Sequence, residues 1–238
     1  MGTSSSYDAP PSWGSLKSLV TRTAGTGPAS AARLVGDYVG KVGGAAAIAR
    51  RGSGGRGGSA GRQAARGLAG FTSRVAAVGL PEALREAGLD HLIGQPVGKL
   101  VQGLIDRFCG PGSTFDQVDA RNAMSRLTET LLDQAETPEQ VGEILTGIVE
   151  QDRLGSVLVE YFGYLLYEEF MRSFYEQVLQ RHGEERVDSM TEDILDFILK
   201  AVENQAVDVD LTTVNWFGAE GRRVAQQVME QTLRVFGG

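Results

Sequence analysis

The run from Val157 to Arg181 constrains this chain more than any other stretch. Leu158, Phe162, Leu165, Leu166, Phe170, Phe174 and Val178 recur at helical steps, and Tyr161, Tyr164, Tyr167 and Tyr175 widen the apolar face. The first half of this helix is apolar nearly all round, so it has no side to leave in water, which predicts the centre of a bundle covered by several neighbours. Its most apolar part, Val157 to Tyr167, contains Glu160 and is too short to span a bilayer.

The rest of the chain supplies helical neighbours. Pro28 suits the first turn of a helix expected from Ala29 to about Arg51, with Leu34, Val35, Tyr38, Val39 and Val42 as its stripe. Gly36, Gly40, Gly43 and Gly44 each weaken it by about 1 kcal/mol relative to alanine, so it needs packing partners, and small residues permit close approach. Further helices are expected over 62–78, 81–93 and 96–108, the last stopped by Cys109-Gly110-Pro111-Gly112, a candidate subdomain joint. Thr114 with Gln117 predicts a capping box for a helix to about Ala135, and Thr137, Pro138 and Gln140 predict a second start. The short connection makes these two helices expected antiparallel neighbours. Asp188 to Gln205 and Trp216 to Phe236 complete the set, and the alternating Val207-Asp208-Val209-Asp210-Leu211 reads as a short strand. One isolated strand does not alter an all-α assignment. The expected architecture is a multi-helix bundle with a flexible Gly/Ser-rich N-terminal arm. It divides into a tail at 1–28, a basic Gly/Ala-rich helical arm at 29–110 with a linker near 52–61, and an acidic helical body at 111–238.

Charge follows that division. Residues 1–79 carry ten Lys and Arg against Asp8 and Asp37, a balance of +8, while residues 80–238 carry thirteen basic and twenty-eight acidic residues, a balance of −15. A basic arm on an acidic body has three candidate targets: its own body, a partner, or nucleic acid. The tract Gly52 to Gly61, flanked or interrupted by Arg50, Arg51, Arg56, Arg62 and Arg66, reads either as a solvated linker or as an arginine-glycine segment contacting phosphates. No aromatic residue interleaves before Phe71, so the tract lacks a stacking platform. Gly52, Gly54 and Gly57 satisfy the dinucleotide spacing G-x-G-x-x-G, but a helix precedes them and the next acid is Glu82, so the match is rejected.

Little else points to chemistry. His91 and His182 lie in different segments without a Glu-x-x-His partner, so no metal is expected. Cys109 is the only cysteine, which excludes an intrachain disulfide and fits the reducing cytoplasm, and residues 2–15 lack the apolar core of a secretory signal. The acidic pairs Glu168-Glu169, Glu184-Glu185 and Glu192-Asp193 with Asp196 read as solvated helix faces. The terminal Gly237-Gly238 matches ubiquitin-like modifiers, yet those share a β-grasp body, and a glycine stop after a helix explains the same residues. No active site assembles, and the chain reads as a non-enzyme with no bound cofactor.

The opening, Met1-Gly2-Thr3-Ser4-Ser5-Ser6, differs from an ordinary chain end. Removal of Met1 would leave Gly2 with an unhindered α-amine of pKa about 7.7 to 8.0, partly neutral and nucleophilic near neutral pH. Thr3, Ser4, Ser5 and Ser6 make a thin polar lead, and Pro10-Pro11 stiffens its base. The alternative is a disordered terminus. Gly2 with Ser6 also fits the N-myristoylation pattern, which would make the chain a membrane-associated adaptor.

That opening, followed by Pro10-Pro11-Ser12-Trp13 and a Gly/Ala-rich arm, resembles the start of the QatB family, the B components of four-gene bacterial Qat anti-phage defence systems. The resemblance implies three partners: an ATPase, a homologue of the 7-cyano-7-deazaguanine synthase QueC, and a TatD-like nuclease. It further implies that Gly2 takes the place of ammonia in QueC chemistry and receives a 7-deazaguanine-type group through an amide, with Thr3 to Ser6 recognised as the lead and the helical body acting as scaffold. The rival reading is a nucleic-acid-binding adaptor working through residues 17–74, with Arg50, Arg51, Arg56 and Arg62 as contacts and binding that falls steeply with salt.

Overall fold

The computed structural model describes residues 13–23, 26–50 and 59–237. Among them are eleven α-helices and no strand, which makes the chain an all-α bundle. These are α1 (Gly14–Thr23), α2 (Pro28–Lys41), α3 (Gly44–Arg50), α4 (Ser59–Val78), α5 (Leu80–Glu86), α6 (Val97–Cys109), α7 (Phe115–Leu131), α8 (Pro138–Glu150), α9 (Leu154–His182), α10 (Glu184–Val202) and α11 (Ala219–Arg234). A single 3-10 turn, Asp90–Leu92, lies between α5 and α6.

Two long helices touch each other and organise the rest. The 29-residue α9 is packed by α1, α7, α10 and α11, as expected of a helix whose first half is apolar nearly all round. The 20-residue α4 is packed by α5, α6, α7, α8 and α11. Glycines on α4 set how closely its neighbours approach. A Cβ on Gly67 would fall 2.7 Å from the Phe108 ring, and one on Gly61 would overlap Leu165 of α9. One contiguous core runs from Trp13 to Phe236.

The structure departs from the sequence reading in identifiable places. The helix expected over 29–51 breaks after Lys41, because Gly43 (φ 105°) and Gly44 (φ 80°) adopt left-handed conformations that end α2 and restart the chain as α3. Gly88 (φ 72°) likewise interrupts 81–93. The Ser/Thr/Gly-rich stretch after Trp13 forms α1, which buries Leu16, Leu19 and Val20. Helices α7 and α8 are not packed as an antiparallel pair: α7 lies mainly on α9 and α8 on α4, where Val141, Leu145 and Ile148 are buried. The capping box forms at α8, with Thr137 and Gln140 bonded reciprocally. At α7, Thr114 accepts from the Gln117 N–H, but the Gln117 carbonyl oxygen accepts from Ser113 instead, one residue before the cap. Residues 207–211 form no strand, since no extended neighbour is there to pair with them. Their alternation survives as burial of Leu211, which packs with Val207 against Gly155.

Candidate functional site

The N-terminal end of the described chain is fixed by aromatic packing. Trp13 is 8% exposed and stacks on Phe174 of α9 at 5.9 Å and 24°. It also meets Tyr38 of α2 edge-on at 5.9 Å, and Phe170 closes the cluster at 5.5 Å from Tyr38 and 4.9 Å from Phe174. Aromatic contacts of this geometry add about 0.5–1.5 kcal/mol each beyond area burial. Polar groups lock the adjoining backbone. Gln177 donates to the Lys17 carbonyl at 2.8 Å and to the Thr21 hydroxyl at 2.6 Å, and His182 Nε2 donates to the Thr21 carbonyl at 2.7 Å. The Gly27 N–H, at the start of α2, donates to Asp193 of α10 at 3.0 Å. Gly2, Thr3, Ser4, Ser5 and Ser6 lie outside the described residues.

An ion pair between a buried carboxylate and an exposed guanidinium ties α7 to α9 nearby. Arg172 Nε donates to both Asp119 oxygens at 3.1 and 2.9 Å, with a further 2.8 Å contact from its terminal nitrogen. Burial outweighs the Arg172 charge and pushes the Asp119 carboxyl up to about 6. Burial, followed by the charge of Glu169, raises the Tyr38 hydroxyl far above its ordinary range. Glu169 therefore departs from the solvated face expected of it: it is buried, whereas Glu184 and Glu185 sit exposed in the first turn of α10, where the helix dipole favours them. Asp196 pairs with Lys200 at the surface.

The remaining chemical candidates separate. Cys109 is buried, its thiol donates to the Ala120 carbonyl at 3.5 Å, and burial pushes its pKa up to about 12, so it stays a thiol. His91 is exposed on the 3-10 turn, far along the chain from His182 at the end of α9. Among the described residues, no three of His, Cys, Asp and Glu gather as a metal would require, and no helix is long and apolar enough to cross a membrane. Gly237 takes φ 140° just after α11, the glycine stop read from the sequence, and Gly238 lies outside the described residues.

The arginines give the second site. Helices α4 and α11 border a groove of about 880 Å³. Arg62 and Arg66 line it from α4, and Arg222, Arg223 and Arg234 from α11, with Gln63, Gln226, Gln227 and Gln231 between them. The α4 start is capped by Asp116, which accepts from Ser59 Oγ and the Ala60 N–H, both at 2.8 Å. Arg62 donates to the Ala49 carbonyl at 2.7 Å, which ties α3 to the groove wall. Arg66 reaches the Trp216 carbonyl at 3.1 Å and the Phe217 carbonyl at 3.4 Å. Desolvation lowers the pKa of Arg62 against the pull of Asp116, and lowers that of Arg66 with help from the like charge of Arg222.

Of the four arginines singled out from sequence, Arg62 lies in this groove and Arg50 is exposed at the end of α3, which packs on α11. Arg51 and Arg56 lie outside the described residues. Sequence reasoning missed Arg222, Arg223 and Arg234, and assigned Arg66 only to the flanks of the tract. The available signal was the four-residue step on α11, Arg222-Arg223, Gln226-Gln227, Glu230-Gln231 and Arg234, which puts one polar stripe opposite the buried Val224, Val228 and Thr232.

A family model described as Qat anti-phage system associated protein QatB matches residues 43–236, which include both walls of the groove. No curated protein and no solved structure matches the chain.

Proposed function

The chain belongs to the QatB family of Qat anti-phage system associated proteins, and from that premise we propose that it is a non-enzymatic substrate and scaffold within a defence complex. Gly2, exposed by removal of Met1, is the acceptor. In a QueC-like partner, a 7-deazaguanine carboxylate attacks the α-phosphate of ATP, pyrophosphate leaves, and an acyl adenylate forms. The neutral Gly2 amine attacks the activated carbonyl, the amide N–C bond forms, AMP leaves with the acyl C–O electrons, and the amine proton passes to solvent. Thr3 to Ser6 present no bulk to the partner's site, and the helical body docks the ATPase and the TatD-like nuclease in the cytoplasm.

The observation that supports this reading is the anchorage of Trp13. Its ring is held between Tyr38 and Phe174, so residues 1–12 start from a fixed point on the body. The eleven peptide steps from Gly2 to Trp13 can span at most about 40 Å, enough to reach into a partner docked on the same face. A fixed root with a thin lead suits delivery of an amine, since anchoring the root limits the volume the amine must search.

Intact mass of the protein co-expressed with its three partners tests the proposal. The expected product has lost Met1 and gained one deazaguanine acyl group at Gly2. An unmodified Gly2 under conditions of active defence, or full defence from a chain in which Gly2 is replaced, would overturn it.

A further inference from the structure

We propose that the groove between α4 and α11 binds a single nucleic-acid strand. Its arginines hold the phosphodiester backbone and its glutamine amides meet the base or sugar groups. The site is independent of Gly2 and of the tail.

Charge is the first ground. Among the described residues, five arginines line the groove against one lining acid, Glu230, which is held by Arg234 at 2.7 Å, while Asp116 at the α4 start draws on Arg62. Arg66 donates to two carbonyls, and Arg222 and Arg223 form no ion pair with any described residue. Arg66 is made less basic first by desolvation and then by the like charge of Arg222 on the facing wall. Like charges held together without a carboxylate are unfavourable in the free protein and become favourable when an anion lies between them.

Shape narrows the anion. Arg222 to Arg234 spans twelve helical steps, about 18 Å at ~1.5 Å each, room for several successive phosphates of one strand. A mononucleotide would reach only one end of that row. Among the described residues the lining consists of Ser, Arg, Gln and Glu, with no aliphatic or aromatic side chain. A protein partner needs apolar anchors at the centre of its footprint, and the described lining offers none. A duplex is read by an element that enters its own groove, whereas single strands are held in positively charged grooves that track the backbone.

Two further observations point to bases. Gln231 Oε1 is buried in the groove wall with no hydrogen-bond partner among the described residues, and a glutamine amide is suited to pair with a base edge. Phe217 is 71% exposed and follows Trp216 at the Arg66 end of the groove, where its carbonyl accepts from Arg66. One edge of its ring rests on Gly70 of α4, leaving a face on which a base can stack.

Fluorescence anisotropy of the full chain with a labelled single-stranded dodecamer, as DNA and as RNA, tests the site across a salt series. Binding is expected, with log K falling by about 0.7 per decade of salt for each phosphate neutralised. Arg222→Gln with Arg223→Gln should reduce affinity at least about tenfold and flatten that slope by about 1.4. Phe217→Ala should weaken binding about tenfold and leave the slope unchanged. Arg181→Gln, exposed at the far end of α9, should change neither. Circular dichroism would verify that each variant is folded. Absence of binding by either strand at low salt overturns the proposal, as does an unchanged slope in the double variant. Displacement by polyglutamate as effective as by unlabelled strand also overturns it, in favour of an acidic protein segment.

Discussion

The Trp13 anchorage and the α4/α11 groove are built in opposite ways. At the first, apolar rings are buried against one another, and the neighbouring polar atoms are paired within the chain by Gln177, His182 and Asp193. At the second, arginines sit half-buried or exposed: Arg66 donates to carbonyls, and Arg222 and Arg223 have no ion pair among the described residues. The first arrangement uses its interactions on its own fold, and the second leaves them for something else. A region that completes its own bonding fixes geometry, while one that leaves like charges unanswered gives up stability for binding. Substitutions at the two should therefore affect different quantities.

The largest effect is expected at the anchorage. Trp13→Ala removes a ring packed between Tyr38 and Phe174 and should cost about 3–5 kcal/mol in urea unfolding. It should also lower the modified fraction of Gly2 in co-expression, because the root of the tail is freed. Trp13→Phe, which retains a stacked ring, should restore most of both. Loss of stability without loss of modification would separate the anchor from the delivery of the amine.

Next is the ion pair beneath it. Asp119→Ala removes the pair but leaves the Arg172 guanidinium in contact with solvent, so it should cost about 1–2 kcal/mol. Its titration makes a second test. The folded-state pKa of Asp119 lies above its ordinary value, at about 6, so the folded protein binds the extra proton more tightly than the unfolded chain. The contribution of this group is therefore fully present below about pH 4 and is lost as pH rises to about 6, an effect of at most about 3 kcal/mol. Unfolding measured between pH 4 and 7 should show this fall in the native chain, and Asp119→Asn should remove it.

How much was legible depended on whether a feature is local. The caps at Thr114 and Thr137, the apolar run of α9 and the all-α class are written in short-range pattern, and the structure contains them. The break at Gly43 and Gly44 was readable only as weakness, because four glycines in one helix do not say which two will adopt positive φ. Helix partners were not legible. The short link between α7 and α8 suggested a hairpin, but α7 packs mainly on α9 and α8 on α4, pairings between elements far apart in sequence that no local pattern announces. The groove was half legible: Arg62 and Arg66 stand at an i, i+4 step, but the arginines that complete it are about 160 positions away on α11. The family match covers 43–236, whereas the resemblance seen in the sequence rests on the tail and so reached the same family from residues outside that range.

The smallest expected effect on stability is at the groove. Arg222 and Arg223 are exposed and unpaired among the described residues, so Arg222→Gln with Arg223→Gln should move the unfolding free energy by no more than about 0.5 kcal/mol. The direction is informative. Arg222 crowds Arg66, and removing that charge should raise stability slightly in low salt, where repulsion is least screened. As salt increases, the native chain should gain on the variant until the two converge, because screening removes the same repulsion that the substitution removes. A thermal melt series in sodium chloride would read this convergence. A clear loss of stability at every salt concentration would instead mean that these arginines support the fold in the way Trp13 does, and the contrast between the two regions would fail.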